Sequence, residues 1–269
     1  MKLSKFSLNN KNILITGAAG SLGFEHSIAL LEVGARVIMT DLDYSKLKKN
    51  KLKLIKKYDS HKIVCLKMDV SKEKSIKSTL KKIKKMKLKI DVLVNNACLN
   101  PKFGSKFYYK NTSLEKFPLN VWEKEIRVGL TGAFLCSKLF GNYMKDNKKG
   151  GVIINVASEY SVITPDHRIY SKKNYKPITY PVIKTGLLGL TRYLATYWIN
   201  KGIRCNSLSP GGVRENQSKD FLNKVKKLIP MGRMANTNEY HSVLQFLCSD
   251  ASAYLNGQNV LMDGGRSIW

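Results

Sequence analysis

A tyrosine and a lysine stand four residues apart at Tyr180 and Lys184, and Ser158 precedes them at the end of an apolar run, 152–157. Side chains at this spacing share one face of a helix, so the ammonium can lie beside the phenol. Free tyrosine titrates near pH ~10, and an adjacent cation lowers its pKa by roughly 1–3 because it favours the phenolate. A nearby serine hydroxyl can hold a substrate oxygen. The three residues therefore predict acid–base chemistry at an oxygen atom.

Such a pair alone is weakly specific, and its weight comes from a nucleotide-binding pattern near the start of the chain. The apolar stretch 13–15 leads into a glycine-rich turn, and an amphipathic stretch follows through Gly34. Glycines let the backbone approach a pyrophosphate, and the N–H groups and dipole of the following helix hold its charge. The residues predicted to line the phosphates are Gly17, Gly20, Ser21, Leu22 and Gly23.

A second apolar stretch, 35–40, ends in Asp41. An acid at this position can accept hydrogen bonds from the adenosine ribose and repel a 2′-phosphate, which favours NAD over NADP. The alternative is an acidic turn that touches nothing, because Asp43 shows that acids occur here incidentally.

Together these motifs resemble those of the short-chain dehydrogenase/reductase family, and the resemblance covers nearly all 269 residues. Within the family, the ending 263–269 and the segment 191–198 look most similar to the flagellin-modification, sugar-pathway branch. The other matching segments are 68–70, 91–97, 204–211, 246–258 and 260–265.

The resemblance implies further cofactor contacts. Asp69 and Val70 would meet the adenine, Asn96 the ribose beside the nicotinamide, and Val213 the carboxamide region. Tyr180 and Lys184 would also contact the cofactor, and Lys184 would both hold the nicotinamide ribose and lower the pKa of Tyr180. Two alternatives stay open, since Asn96 can simply cap a strand end and Val213 can only pack.

Two positions depart from the family pattern. The middle glycine of the turn has moved to Gly20 and Ser21 stands in its place. A serine hydroxyl can still donate to phosphate, so we expect this site to survive. Gly129 stands where the family usually has an asparagine thought to anchor a proton-relay water. Either water on backbone carbonyls relays the proton, which the intact catalytic residues favour, or the protein is a weak or inactive member.

Tyr170 competes with Tyr180, because its separation from Ser158 is close to the family's usual one. Asn174 follows it by four residues instead of a lysine, so its phenol would keep an ordinary pKa. We therefore assign the catalytic role to Tyr180. The segment Glu159 to Pro177 is interpreted as an inserted loop beside the substrate cleft, with a lid near 211–232.

Basic residues on both sides of this cleft predict an anionic substrate. Arg168 lies on the inserted loop with Lys172 and Lys173, and Arg214 follows the sixth predicted strand. Arginine forks suit phosphate and carboxylate groups. The alternative is that these residues belong to a general excess of basic residues and point to solvent.

The alternation of strands and helices predicts an α/β fold, a single Rossmann-type doubly wound parallel sheet of about seven strands with helices on both faces. No linker or repeat divides the chain, so we expect one domain, 1–269. The longest helices, near 119–147 and 177–200, have apolar faces that predict a homotetramer or homodimer. The predicted strands are 12–16, 35–40, 63–68, 91–95, 151–156, 203–208 and 259–262.

The net charge of +28 invites a nucleic-acid interpretation. Of 47 basic residues only 8 are arginine, and lysine clusters such as 46–57 and 81–89 fall on helices expected to face solvent. Nucleic-acid recognition favours arginine forks and interleaved aromatic groups. We therefore expect no specific nucleic-acid partner.

Cysteine usage indicates a reducing compartment. The 5 cysteines are scattered without a paired motif, and Cys98 replaces a family glycine close to the expected nicotinamide. The sequence shows no metal-ligand cluster, signal peptide or membrane span, so we expect a cytoplasmic protein without a metal.

Three functions remain. The first is an NAD(H)-dependent oxidoreductase that interconverts a hydroxyl and a carbonyl on an anionic sugar or polyol, one that is phosphorylated, nucleotide-linked or acidic. The second is a 3-oxoacyl carrier-protein reductase, against which Asp41 argues because such enzymes generally use NADPH. The third is a catalytically weak dinucleotide-binding scaffold, which Gly129 would permit.

Overall fold

A single parallel sheet organises the protein. The computed structural model describes residues 4–100, 113–170 and 175–269. Seven strands within these residues pair in parallel: β1 (Asn12–Thr16), β2 (Arg36–Asp41), β3 (Ile63–Lys67), β4 (Val92–Asn95), β5 (Gly151–Val156), β6 (Ile203–Pro210) and β7 (Asn259–Met262). Their order is β3-β2-β1-β4-β5-β6-β7. The bounds agree with the predicted strands to within two residues.

Helices cover both faces of the sheet: α1 (Ser21–Glu32), α2 (Tyr44–Leu54), α3 (Glu73–Lys85), α4 (Leu119–Ile126), α5 (Gly132–Cys136), α6 (Asn142–Met144), α7 (Thr179–Tyr197), α8 (Lys219–Val225) and α9 (His241–Cys248). The helix predicted near 119–147 is a continuous run in which two π-helical segments, Arg127–Thr131 and Ser137–Gly141, join α4 to α5 and α5 to α6. Among the helices described, none is long and apolar enough to cross a membrane.

Alternate strand residues supply two separate cores. Ile13 and Ile15 of β1 join the core beneath α1 and α9, whereas Leu14 joins the core beneath α3 and α7. Successive strand side chains point to opposite faces, and helices bury both faces of a parallel sheet. The predicted doubly wound α/β fold is therefore confirmed.

The connectivity places a crevice at the carboxyl ends of β1 and β4. From β1 the chain proceeds outward to β2 and β3, then returns to β4 on the other side. In open α/β sheets ligands bind at such a switch point, outside the carboxyl ends of the strands. The segments after β1, β2, β4 and β5 all reach this edge.

A chain of buried polar side chains joins the central strands to α7. Asn95 Nδ2 donates to Asn155 Oδ1 and to Ser137 Oγ, each at 2.9 Å. Asn155 Nδ2 in turn donates to Thr191 Oγ1 at 2.8 Å, and the hydroxyls of Thr191 and Ser207 are 2.8 Å apart. Leaving a buried polar group unpaired costs roughly 1–3 kcal/mol. The network therefore holds α7 in one position over β4, β5 and β6.

The lysine-rich helices point their charges to solvent. In α3 the buried residues are Ile76, Thr79 and Ile83, while the lysines of the same helix are exposed. In α2 the buried positions are Leu47, Asn50 and Leu54. The solvent-facing placement expected for these lysines is confirmed.

Candidate active site

The turn after β1 packs so closely against the segment that follows β4, and against its own backbone, that it excludes side chains at two positions. Gly17 has a φ of +66°, and a Cβ there would lie 2.8 Å from Ala97 Cα. A Cβ on Gly23 would lie 2.8 Å from Ala18 Cα. Because α1 begins at Ser21, its first backbone N–H groups have no partner within the helix and suit an anion. The glycine turn thus has the shape and polarity of a phosphate site.

The displaced glycine leaves this shape intact. A Cβ on Gly20 would meet only Gly17 O, at 3.3 Å, and Gly20 and Ser21 are both exposed. Leu22 is half-buried beside them. The close approach depends on Gly17 and Gly23, so serine at position 21 does not obstruct it.

Asp41 connects the glycine turn to the loop after β2. Its Oδ2 accepts a hydrogen bond from the Ala19 N–H, and its Oδ1 accepts one from the Asp43 N–H, both at 2.9 Å. The side chain is only half-buried, so each oxygen keeps lone pairs for a further donor. The alternative that Asp41 touches nothing is therefore wrong, because its carboxylate holds two backbone N–H groups. Its bond to a ribose stays a prediction.

Asn96 fastens the end of β4 to the same turn. Its Nδ2 donates to Thr16 O at 2.9 Å and to Gly17 O at 3.2 Å. The backbone N–H groups of Asn96 and Ala97 each donate to Thr16 Oγ1 at 3.0 Å. These bonds give Asn96 a structural role at the crevice, and its contact with the nicotinamide ribose stays a prediction.

The remaining predicted cofactor residues follow β3 and β6. Asp69 Oδ1 accepts hydrogen bonds from the Ser71 N–H at 3.0 Å and the Ser71 hydroxyl at 2.6 Å. The Val70 side chain is buried. Val213 forms an isolated parallel bridge with Ala235. All three predicted residues follow carboxyl ends of strands, and their contacts with adenine and carboxamide stay predictions.

Ser158, Tyr180 and Lys184 meet between the end of β5 and the start of α7. Ser158 is buried and hydrogen-bonded to Tyr180, which lies in the first turn of α7. Lys184 lies one turn later and is buried; its Nζ donates to Val156 O at 2.7 Å. The same Nζ is 5.5 Å from the centroid of the Tyr180 ring. The predicted residues therefore come together, while their catalytic roles stay predictions.

The lowered pKa expected for Tyr180 is wrong in direction, whereas the contribution of Lys184 itself stays a prediction. Burial raises the pKa of Tyr180, and neighbouring Cys98 raises it further, whereas the hydrogen bond with Ser158 lowers it. The Lys184 ammonium is itself buried, which lowers its own pKa, and it is bonded to Val156 O. Tyr180 is thus held as the phenol, the form that donates a proton.

Tyr170 belongs to a different cluster. Its ring packs against Phe221 of α8 with centroids 5.8 Å apart. Ile169 and Val225 lie in the same apolar cluster. Tyr170 therefore joins the inserted loop to the predicted lid, and this geometry favours the assignment of the acid–base role to Tyr180.

Arg168 is engaged by an acid of its own loop. Its Nε and Nη2 donate to the two carboxylate oxygens of Asp166 at 2.9 and 2.8 Å. This hydrogen bonding lowers the pKa of Asp166 to about 2. The Arg168 side chain is 86% exposed, and Arg214 is exposed as well. An anionic substrate would compete with Asp166 for Arg168, and both substrate roles stay predictions. Lys172 and Lys173 lie outside the described residues.

Lys176, which the sequence reasoning missed, lies over the Tyr180 ring. Its Nζ is 3.8 Å from the ring centroid and donates to Asn100 Oδ1 at 2.7 Å. Burial, reinforced by the charge of Lys184, lowers the pKa of Lys176 to about 8. The available signal was spacing, because Lys176 precedes Tyr180 by the same four residues by which Lys184 follows it.

A buried ion pair near Ser158 was also missed. Arg266 Nη1 donates to Glu159 Oε1 at 2.6 Å, and both side chains are almost fully buried. The Tyr160 ring beside them meets the Tyr180 ring edge-on, with centroids 6.2 Å apart. The C-terminal segment is therefore fastened against the loop that begins at Ser158. Burial raises the pKa of Glu159 to about 7.

Gly129 lies in the π-helical segment between α4 and α5, where α7 approaches closely. A Cβ there would lie 2.8 Å from Ile183 Cγ2 and 3.4 Å from Cys98 Sγ. Ile183 is fully buried. Packing against Ile183 and Cys98 thus gives a physical reason why no larger residue stands at this position.

Comparisons with known proteins identify the family. A family model described as "Enoyl-(Acyl carrier protein) reductase" matches residues 17–267. The NAD-dependent glycerol dehydrogenase of Listeria innocua is 30% identical over 98% of this chain and 96% of its own length. Post-translational flagellin modification protein A of Campylobacter coli is 28% identical over 97% of this chain and 100% of its own.

Structural similarity agrees with these matches. The crystal structure of a short-chain dehydrogenase from Leptospira borgpetersenii with bound NAD+ is 32% identical, with a TM-score of 0.84. The match covers 100% of this chain and 97% of that one. The chain belongs to the short-chain dehydrogenase/reductase family and is an oxidoreductase.

The packing at Gly129 generates a stability prediction. Gly129→Ala should lower the free energy of unfolding by about 1–3 kcal/mol, because the added methyl group overpacks the contact with Ile183. Gly189→Ala is the matched control on α7, since a Cβ there meets nothing within 4 Å. The control should be stabilised by about 0.4–1 kcal/mol. Urea unfolding of both variants measures the difference, and equal effects would contradict this account of Gly129.

Proposed function

We propose that this oxidoreductase is NAD(H)-dependent and interconverts a hydroxyl and a carbonyl group on a sugar or polyol that carries an anionic group. The observation that carries the proposal is the meeting of Ser158, Tyr180 and Lys184 at the same sheet edge as the glycine turn. The Listeria innocua relative, whose name specifies both NAD and the polyol glycerol, supports the cofactor and the polyol class.

The residues of the crevice fit a nicotinamide dinucleotide. Its phosphates would lie against the glycine turn, where Gly17 and Gly23 leave room that a Cβ would fill. Asp41 would accept hydrogen bonds from the adenosine ribose, and Lys184 would hold the nicotinamide ribose. When bound, the nicotinamide supplies or accepts the hydride at the substrate carbon.

The accompanying proton moves at the Tyr180 hydroxyl. In carbonyl reduction the phenol donates its proton to the substrate oxygen, and in alcohol oxidation the phenolate accepts one. The Ser158 hydroxyl, hydrogen-bonded to Tyr180, would hold the same substrate oxygen. The Lys184 cation stabilises the phenolate that remains after donation.

The principal alternative is a 3-oxoacyl carrier-protein reductase. The description of the matching family model, which names an acyl carrier protein, favours it. The basic surface would also suit an acidic carrier protein. A screen of sugar phosphates, nucleotide sugars, neutral polyols and acyl thioesters, monitored by NADH absorbance, distinguishes the two. Turnover of acyl thioesters, without turnover of any sugar or polyol, would contradict the proposed function and support this alternative.

We also propose a cytoplasmic location. All five cysteines are free, and Cys136, Cys205 and Cys248 are buried. Free, buried cysteines are typical of proteins in reducing compartments.

Self-association through the long helices is a further part of the proposal. Tyr193 and Tyr197 of α7 stack with centroids 5.6 Å apart and are 62% and 60% exposed. Phe134 of α5 and Val182 of α7 are exposed as well. Large exposed apolar side chains on adjacent helices are typical of subunit interfaces.

Light scattering should give the mass of a dimer or tetramer for the wild-type protein. Tyr193→Lys should lower the measured mass, because it places a charge in the proposed interface. A monomeric wild type would contradict the proposal.

Cofactor choice tests the role of Asp41. NADH should bind at least about tenfold more tightly than NADPH, a difference of about 1.4 kcal/mol, because the carboxylate repels a 2′-phosphate. Asp41→Asn removes the charge with little change in shape, so it should reduce this discrimination. Asp43→Asn is the neighbouring control and should preserve it. Fluorescence titration measures all affinities; a wild type that binds both cofactors equally would exclude this role.

Two tyrosine variants test the acid–base assignment. Tyr180→Phe should abolish turnover but leave cofactor affinity largely unchanged, because it removes the proton donor and almost no volume. Tyr170→Phe should keep kcat, since its ring contact with Phe221 is retained. Steady-state kinetics with cofactor titration provide the comparison. An active Tyr180→Phe beside an inactive Tyr170→Phe would show that the catalytic helix is misassigned.

A further inference from the structure

Lys176 has a position that the proposed mechanism does not use. It stands near the end of the inserted loop, and its ammonium lies over the ring of the proposed acid–base residue, 3.8 Å from the centroid of Tyr180. A hydrogen bond of 2.7 Å to Asn100 Oδ1 holds the Nζ there. Asn100 follows β4, so two separate segments determine where this cation lies. The Lys184 Nζ is farther from the same centroid, at 5.5 Å.

The groups around the Lys176 ammonium have opposing effects on its protonation. Lys184 disfavours a second positive charge, whereas Cys98, Glu125 and Glu159 favour it. Glu125 of α4 accepts a hydrogen bond from the Thr179 hydroxyl and is buried. Tyr160 and Glu159 face Tyr180 from the loop after β5. Because the pKa of Lys176 is lowered only to about 8, its amine is mostly protonated at neutral pH.

We propose that Lys176 is a second cation of the acid–base site, which stabilises the Tyr180 phenolate from the face of its ring. A cation near a phenol favours the ionised form, and attraction to the ring face holds the ammonium in place. Lys176 acts through Tyr180, so it is a positioning residue in the proposed mechanism. This inference rests on the proposed role of Tyr180. It gives the inserted loop a part in proton transfer, besides lining the cleft.

The pH dependence of alcohol oxidation tests the inference. The phenolate is the active form in this direction, so kcat/KM falls as pH drops below the apparent pKa of the site. Without Lys176 the phenolate is less stable and that pKa rises. Lys176→Met, which keeps most of the side-chain volume, should therefore move the acidic limb to higher pH by about one unit. At pH values below the limb this is a loss of about tenfold, and it should shrink as the pH rises through the limb.

Three companion variants sharpen the test. Lys176→Arg keeps the charge and should restore most of the wild-type profile. Asn100→Ala removes the partner that seats the ammonium and should shift the limb in the same direction by less. Lys201→Met is the matched charge control, because exposed Lys201 precedes β6 at the opposite edge of the sheet. It should leave the profile unchanged, and circular dichroism should show all variants folded.

A labelling experiment on the wild-type protein gives a readout independent of turnover. An amine-acylating ester applied across a pH series should modify Lys176 at lower pH than typical exposed lysines, whose pKa is near ~10.4. Peptide mass spectrometry quantifies each site. If Lys176 and Lys201 are labelled with the same pH dependence, the lowered pKa of the Lys176 amine is contradicted.

The outcomes separate this inference from the proposed function. If Tyr180→Phe is inactive while Lys176→Met keeps the wild-type acidic limb, Lys176 has no role in proton transfer. A rise in KM confined to anionic substrates, with no movement of the limb, would instead make it a substrate contact and overturn the inference. If Tyr180→Phe retains turnover, the proposed function itself fails.

Discussion

The buried ammonium of Lys184 is the constraint on which the candidate active site depends. A charge removed from water is costly unless it is hydrogen-bonded. Lys184 is only 4% exposed, and its Nζ donates to Val156 O at the carboxyl end of β5. This bond sets the register of α7 against β5. Tyr180, one helical turn earlier, consequently lies beside Ser158, which follows the same strand.

The crevice on the other side of the site depends on close backbone contact. Thr16 and Gly17 accept hydrogen bonds from the Asn96 side chain, and no side chain fits at Gly17 or Gly23. The ends of β1 and β4 are therefore held together at the topological switch point of the sheet. The buried network through Asn155 then connects β4 and β5 to α7. The candidate cofactor crevice and the proposed acid–base residues thus belong to one rigid arrangement of strand ends and helix starts.

Much of this arrangement was predictable because it depends on local patterns. Apolar runs of strand length gave every strand of the sheet to within two residues, and the four-residue spacing of Tyr180 and Lys184 placed both on one helical face. The hydrogen bonds by which Asn96 joins the end of β4 to the turn after β1 could be seen only in the folded structure, because their acceptors lie 79 and 80 residues away. Similarly, Glu159 and Arg266 are 107 residues apart.

Other features depend on burial and loop conformation, which residue types do not reveal. The direction of the Tyr180 pKa shift was mispredicted because burial, followed by neighbouring Cys98, raises the pKa, and the hydrogen bond with Ser158 does not offset them. Arg168 looked free for a substrate, but a turn of its own loop brings Asp166 to its guanidinium. The position of Lys176 over the Tyr180 ring follows from the path of an inserted loop, for which no periodic pattern exists.

The central claim is that the crevice carries out hydride transfer coupled to a proton at Tyr180. It is tested most directly by following deuterium from NADH that carries deuterium at both nicotinamide C4 positions during reduction of a keto-sugar phosphate. The account predicts an alcohol product that carries a single deuterium on the former carbonyl carbon. The Tyr180→Phe variant should bind the labelled cofactor without forming this product. Oxidation of the cofactor with no deuterium in the product, or labelled product from Tyr180→Phe at the wild-type rate, would contradict it.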